Sequence, residues 1–289
     1  MKQFPPSELI VNTDGSIFHL HLKPEQLADN VILVGDPGRV ALVAAYFDSQ
    51  ECSISSREFN TITGVYKGKR ISVISTGIGT DNIDIVMNEM DALANIDLVA
   101  RVEKTSFRQL NIVRIGTSGG MQPDIPLGSF LISEKSIGFD GMLNFYAGRD
   151  EVSDLDFESA MKKHLNWNPQ LASPYVVEAD TELVERIGKD DMLRGVTISA
   201  NGFYGPQGRV LRLKLADMQL NDKIESFRYG KYKITNYEME GSAIAGLAKM
   251  MGHKAMTVCC IIANRRIEAA STDYKPYIEN LVTTVLDRI

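Results

Sequence analysis

Six short, nearly continuous apolar runs constrain this chain more than anything else in it: VILV (31–34), ISVIS (71–75), NIVRIG (111–116), SFLIS (129–133), GVTIS (195–199) and MTVCCIIA (256–263). Runs of that length without polar alternation mark strands buried on both faces, as in parallel sheets covered by helices. Helical patterns lie between them, including RVALVAAYF, DIVMNEMDALANI and GSAIAGLAKMMG, with an amphipathic YKPYIENLVTTVLDRI at the end. Residues 57–76 instead read as a hairpin, two strands joined at YKGKR. The alternation predicts an α/β fold layered around a mixed sheet, and the 289 residues read as a single domain, 1–289, without repeats or long linkers. In such folds ligands gather where strands run out into loops.

Charge and composition narrow the function classes. A net charge of −6 speaks against a general nucleic-acid binder, which shows a basic face, yet leaves room for local basic pockets that take small anions. No run reaches the ~18 apolar residues of a membrane span, and MKQFPPSELI lacks a signal-peptide core, so the expected location is the cytoplasm. Cys52, Cys259 and Cys260 are too few and too badly spaced for a disulfide framework or a zinc site. The latter two fall in an apolar run and read as buried free thiols.

The strand ends carry the chemistry. VILVGDPGRV ends a strand at Gly35, and Gly38 and Arg39 open a helix. Backbone N–H groups at glycines and a helix N-terminus suit an anion, although Asp-Pro-Gly is also an ordinary turn. In VRIGTSGG, Arg114 lies inside an apolar strand, where an unpaired charge is costly. It needs either an internal carboxylate or an anionic ligand, and Thr117, Gly119 and Gly120 offer a hydroxyl and exposed N–H groups beside it. STGIGTDN (75–82) is another Gly-rich strand end, with the spacing of neither a dinucleotide fingerprint nor a P-loop. In NYEMEGSAIAGLAKM, Glu238 and Glu240 flank Met239 at a helix start. Acidic residues there suit the helix dipole, but one carboxylate can also accept from both hydroxyls of a vicinal diol.

FYGPQGR (203–209) completes the set. Phe203 can stack on a base or pack beside a sugar. The Gln207 amide both donates and accepts, matching a ring with an N–H beside a carbonyl, whereas Arg209 only donates and requires a carbonyl. Uracil meets those demands, and cytosine places an amino group where Arg209 needs an oxygen.

Together, in order, GDPxR, RIGTxGG, FYxxQGR and NYEMEG resemble the nucleoside phosphorylase family of purine and uridine phosphorylases, from FHL (18–20) to ANR (263–265), with FYxxQGR resembling the uridine-cleaving members. The resemblance implies a mixed central sheet, partly barrel-like and flanked by helices. It implies that Gly35, Arg39, Arg114 and Thr117 hold phosphate, with Arg57 of SSREF supplied to that phosphate by a neighbouring subunit. His19 is similar to the histidine that reaches the ribose 5′-hydroxyl from the neighbour, and Glu240, with Met239 and Glu238 beside it, would bind the 2′- and 3′-hydroxyls. Phe203, Gln207, Arg209 and the backbone near Gly119 would line the base site, supported by Arg265. Catalysis would rest on Gln207, Arg209, Glu240 and Arg114. Inorganic phosphate would be the co-substrate, with no cofactor required. The monovalent cation that bacterial members hold between subunits would map onto Glu58, Ile78 and Asn82, where Asn82 departs from the usual serine. A homodimer would be the smallest functional unit, alone or within a hexamer. LVARVEKTSFRQLN (98–111), the QGR triplet and the extra residues before FHL resemble the longer animal-type enzymes rather than the compact bacterial hexamers.

The expected reaction is reversible phosphorolysis of uridine to uracil and ribose 1-phosphate. A purine phosphorylase or nucleosidase of the same fold is disfavoured, because CCIIANRR puts Asn264 and Arg265 where such enzymes place an acid. A non-catalytic nucleoside sensor would not need the phosphate arginines, and a dinucleotide oxidoreductase would need GxGxxG after its first strand. His21 is expected opposite His19 on a strand of period two, and His164, His253 and Trp167 read as surface or packing residues.

Overall fold

The computed structural model describes residues 3–267, 269–271 and 273–289, so the first two residues of the N-terminal stretch lie outside it. In chain order the main elements are β1 (Asn30–Val34), α1 (Gly38–Ala44), β2 (Ser49–Ser56), β3 (Phe59–Tyr66), β4 (Lys69–Ser75), α2 (Thr80–Asn95), β5 (Asn111–Gly120) and β6 (Phe130–Gly138). They continue with α3 (Leu155–Leu165), β7 (Tyr175–Glu178), α4 (Thr181–Gly188), β8 (Leu193–Ser199), α5 (Leu220–Ser226), β9 (Tyr232–Glu238), α6 (Gly241–Met251), β10 (Lys254–Asn264) and α7 (Lys275–Arg288).

These strands form one mixed sheet in the order β9-β8-β6-β10-β5-β1-β4-β3-β2. The tip of β5 also pairs with β9, Gly119 with Tyr237 and Gly120 with Asn236, which closes the first five strands of that order into a barrel-like ring. The other four extend from β5 as an open arm. All six apolar runs are strands, and each is parallel to at least one neighbour. Alternate residues of β1 enter different cores. Val31 and Leu33 pack with Met87 and Met90 of α2 and Leu247 of α6, while Ile32 and Val34 pack with Val40 of α1, Ile187 of α4 and Leu281 of α7. A third cluster joins α3 and α5 to the ring through Phe157, Val196, Ile224 and Ile234. Truncating a fully buried leucine such as Leu33 would cost roughly 2–5 kcal/mol, transfer and cavity together.

The expected hairpin is β3 and β4. Lys67 and Gly68 both have positive φ, the primed-turn geometry that matches the twist of paired strands. Missing from the strand pattern is β2, whose exposed and half-exposed residues lie at the edge of the arm. The expectation for His21 is corrected. Residues 18–20 form a turn, closed by His21 N–H to the Ile17 carbonyl and by Ile17 N–H to Leu22, so no period-two alternation sets the two histidines apart. His21 has a φ of 56° and lies beside Asn12 and Asp14. His164, His253 and Trp167 are surface or packing residues: His164 is exposed and meets the Lys223 carbonyl, His253 is held between Asp91 and Leu110 N–H, and Trp167 lies against Phe139.

Candidate active site

The C-terminal ends of β1, β5, β9 and β10, with the loop after β8, surround a cleft of about 670 Å³. It gathers Gly35, Arg39, Arg114, Thr117, Gly119, Phe203, Gln207, Arg209, Glu238, Met239 and Glu240, along with Glu58, Ile78 and Asn82. The parallel register explains part of this assembly. Leu33 pairs with Arg114 and Val34 with Ile115, so the turn after β1 opens beside the stretch of β5 that continues through Thr117 to Gly120.

Arg114 is the centre of the site. Its side chain is 5% exposed, and its Nη1 stands 3.1 Å from Glu238 Oε2 while its Nη2 donates to Glu240 Oε2. Burial alone would lower the pKa of the guanidinium, but Glu240 and then Glu238 outweigh it, and the group is held firmly protonated. Room for the guanidinium comes from Gly116, where an added Cβ would collide with Arg114 itself and with Cys259 Sγ. Cys259 is the fully buried thiol expected from the strand run, and burial pushes it up to about 12 although Arg114 lies 3.5 Å away. The internal carboxylates therefore satisfy the charge of Arg114, while its Nε is buried without a partner among the described residues.

The two glutamates are placed differently. Glu238 Oε2 accepts the N–H groups of Glu240 and Gly241, both at 2.8 Å, and Oε1 accepts from the Ser199 hydroxyl. With Arg114 as well, Glu238 is saturated and caps the first turn of α6. Glu240 is held by Gly79 N–H at 2.7 Å and by Arg114, and burial raises its carboxyl pKa above the ordinary glutamate value despite Arg114. Of the pair, Glu240 is the one with acceptor capacity left for a ligand.

At the other part of the cleft, the short helix Gly205–Gln207 buries the Gln207 side chain while Phe203 stays half exposed. Arg209 lies over the Phe203 ring, 3.6 Å from its centroid, and its Nη1 donates to Gln207 Oε1 and to the Phe203 carbonyl. Its Nε and Nη2 have no hydrogen-bond partner among the described residues. Burial, then the neighbouring Arg265, lowers its pKa to about 10, which leaves it charged at neutral pH. Arg265 does not line the cleft. It supports the loop from behind, donating from Nη1 to the Gln207 carbonyl. Asn264 has no free amide, since its Nδ2 donates to the Gln122 and Ile125 carbonyls and its Oδ1 accepts Arg266 N–H.

Two expected residues stand apart from this cleft. Arg57 is exposed at the β2–β3 turn, with a φ of 56°, and lies 5.8 Å over the Phe18 ring. His19 lines a separate depression of about 870 Å³ together with Phe18, Glu89 and Tyr146. Phe18 touches both, so Arg57 and His19 share one surface patch. The residues that sequence reasoning did not single out are Ser199, Gly79, Tyr237 and Glu89. Their roles depend on register and on distant elements meeting; Gly79 and Tyr237 fall inside the quoted motifs STGIGTDN and NYEMEG, and Ser199 and Glu89 do not. Among the described residues no group of three His, Cys, Asp or Glu side chains is arranged to hold a metal ion, and no helix is long and apolar enough to cross a membrane.

The family model described as the phosphorylase superfamily matches residues 29–286. A uridine phosphorylase of Thermococcus kodakarensis is 28% identical over 265 residues, covering 92% of this chain and 83% of its own. A uridine phosphorylase of Escherichia coli is 30% identical over 260 residues, covering 87% of each chain. The crystal structure of the Trypanosoma brucei nucleoside phosphorylase, which shows uridine phosphorylase activity, superposes with a TM-score of 0.88 at 27% identity, over 97% of this chain and 98% of that one.

Proposed function

Because the chain belongs to the phosphorylase superfamily, we propose that it catalyses the reversible phosphorolysis of uridine, giving uracil and ribose 1-phosphate. One observation carries the reading: Arg39, Arg114 and Thr117 share a single cleft with Glu240 and with Phe203, Gln207 and Arg209. The named activities of the T. kodakarensis, E. coli and T. brucei relatives point the same way.

Breaking the glycosidic bond builds positive charge on ribose and negative charge on the departing base. Gln207 Nε2 and the uncommitted Arg209 nitrogens are donors for the base carbonyls. A pre-set donor of this kind contributes about 3–4 kcal/mol at the transition state, by analogy with oxyanion holes. Glu240 accepts from the ribose diol, and Met239 and Glu238 flank it. Inorganic phosphate, the co-substrate, is held by Gly35, Arg39, Arg114 and Thr117 and attacks the anomeric carbon, so no protein nucleophile is needed. The buried, neutral Cys259 thiol takes no part.

In this reading Arg57 and His19 complete the site of a neighbouring subunit. Their common patch outside their own cleft supports that exchange. A homodimer is then the smallest working unit, by itself or as part of a hexamer, and the reaction runs in the cytoplasm. No cofactor is required. Glu58, Ile78 and Asn82 line the cleft as accessory positions for a monovalent cation.

The test is phosphate-dependent release of free base from a panel of nucleosides. Uridine should be cleaved, with little activity on cytidine or inosine. Inosine cleaved faster than uridine would overturn the assignment.

A further inference from the structure

The imidazole of His19 is not left to find its own orientation. Glu89, on α2, accepts the backbone N–H of His19 at 3.0 Å on each carboxylate oxygen and that of Leu20 at 2.8 Å, and its Oε1 lies 2.6 Å from His19 Nδ1. Three donors from two consecutive residues converge on one carboxylate, so Glu89 fixes both the turn that carries the histidine and the ring itself. Phe18 meets the ring edge-on at 4.7 Å and Phe59 at 6.5 Å, closing its sides. A carboxylate can only accept, so Nδ1 carries the proton in the neutral ring. Nε2 is then the unprotonated nitrogen, and it has no partner among the described residues. The side chains are 27% and 12% exposed, so the ring edge is open while the carboxylate behind it is largely covered.

We propose that Glu89 is the positioning residue for ribose recognition: it sets the tautomer and aim of His19 so that Nε2 accepts the ribose 5′-hydroxyl proton in the neighbouring subunit's site. The inference rests on the shared-site reading above. A Glu89 that served only the stability of the fold would affect every nucleoside alike. A positioning Glu89 affects only substrates that carry a 5′-hydroxyl.

The experiment compares kcat/KM for uridine and 5′-deoxyuridine in the wild type, His19→Ala, Glu89→Ala and Glu89→Gln, with the KM for phosphate alongside. Glu89→Ala should lower the uridine value about tenfold and leave 5′-deoxyuridine within about twofold, because a lost orientation shows only where the oriented contact exists. Glu89→Gln, which keeps an acceptor for the backbone, carries the test if Glu89→Ala does not fold; it should lose about threefold on uridine alone. Nitrogen-15 shifts of the wild-type His19 ring should show the Nδ1–H tautomer. Equal losses on both nucleosides, or an Nε2–H tautomer, overturn the proposal. So does discrimination that is lost in His19→Ala but kept in both Glu89 variants. If His19→Ala itself keeps the preference for uridine, the ribose contact assigned to His19 fails first, and that failure is separable from the failure of Glu89.

Discussion

Replacing Arg114 by methionine, which keeps length but removes the charge, should expose the electrostatics of the site. Arg114 is buried between Glu238 and Glu240, each under 5% exposed at the side chain. Breaking a buried ion pair by removing one partner costs about 3–5 kcal/mol. Glu238 keeps two backbone N–H groups and the Ser199 hydroxyl as partners. Glu240 keeps only Gly79 N–H, loses the group that holds its pKa down, and still faces Glu238. Its carboxyl, already raised above 4.5 by burial, moves higher still. A raised folded-state pKa means that the folded chain binds the extra proton. That stability is fully present below the unfolded value and is lost as pH rises through the folded one. The variant should therefore lose up to about 1.4 kcal/mol per pH unit above roughly pH 5, more steeply than the wild type. Urea unfolding at a fixed protein concentration, stepped from about pH 5 to pH 7, measures it, since subunit association otherwise shifts the midpoint. Adding Glu240→Gln to Arg114→Met should flatten the profile. Parallel profiles for wild type and Arg114→Met, or a cost below about 1 kcal/mol, would falsify the triad as the site's electrostatic core.

Arg209→Ala should lower kcat/KM for uridine by about 10²-fold or more while phosphate affinity, measured by calorimetry, changes little, because the phosphate arginines remain. Loss of phosphate binding with uridine turnover intact would reverse the assignment. Arg57→Ala and Arg209→Ala should each be nearly inactive alone. After dissociation and random reassembly, roughly a quarter of sites should hold both wild-type residues and recover. No recovery, with mixed dimers demonstrated by mass spectrometry, would mean that Arg57 serves its own chain.

Much of this is legible in the sequence. The doubly buried strands announced themselves because nothing polar interrupts VILV or ISVIS, and their ends delivered Gly35, Arg39, Arg114 and Thr117 to one cleft. Strand β2 was not legible, since SQECSISS lies at the arm's edge and only Cys52 and Ile54 alternate as apolar residues in it. The difference between Glu238 and Glu240 was hidden as well. Two residues apart at a helix start, they look equivalent in sequence. Only the register of Ser199 against Glu238, and the arrival of Gly79 at Glu240 from another strand end, make one a cap and leave the other free for a ligand. Arg114 shows the same limit. Its need for a negative partner follows from the apolar run around it, but that Glu238 and Glu240 supply the charge is visible only in the fold.

The three cysteines also sort into reactive and silent thiols. Cys259 and Cys260 are fully buried, and burial raises both thiols, to about 12 and about 11, so neither offers a thiolate to a reagent near neutral pH. Cys52, half-buried on β2, is the remaining handle. A maleimide dye would therefore mark each chain once, on the strand that leads to Arg57 and away from Arg114 and Glu240. Two differently coloured populations could then report subunit exchange by energy transfer, with the catalytic side chains untouched.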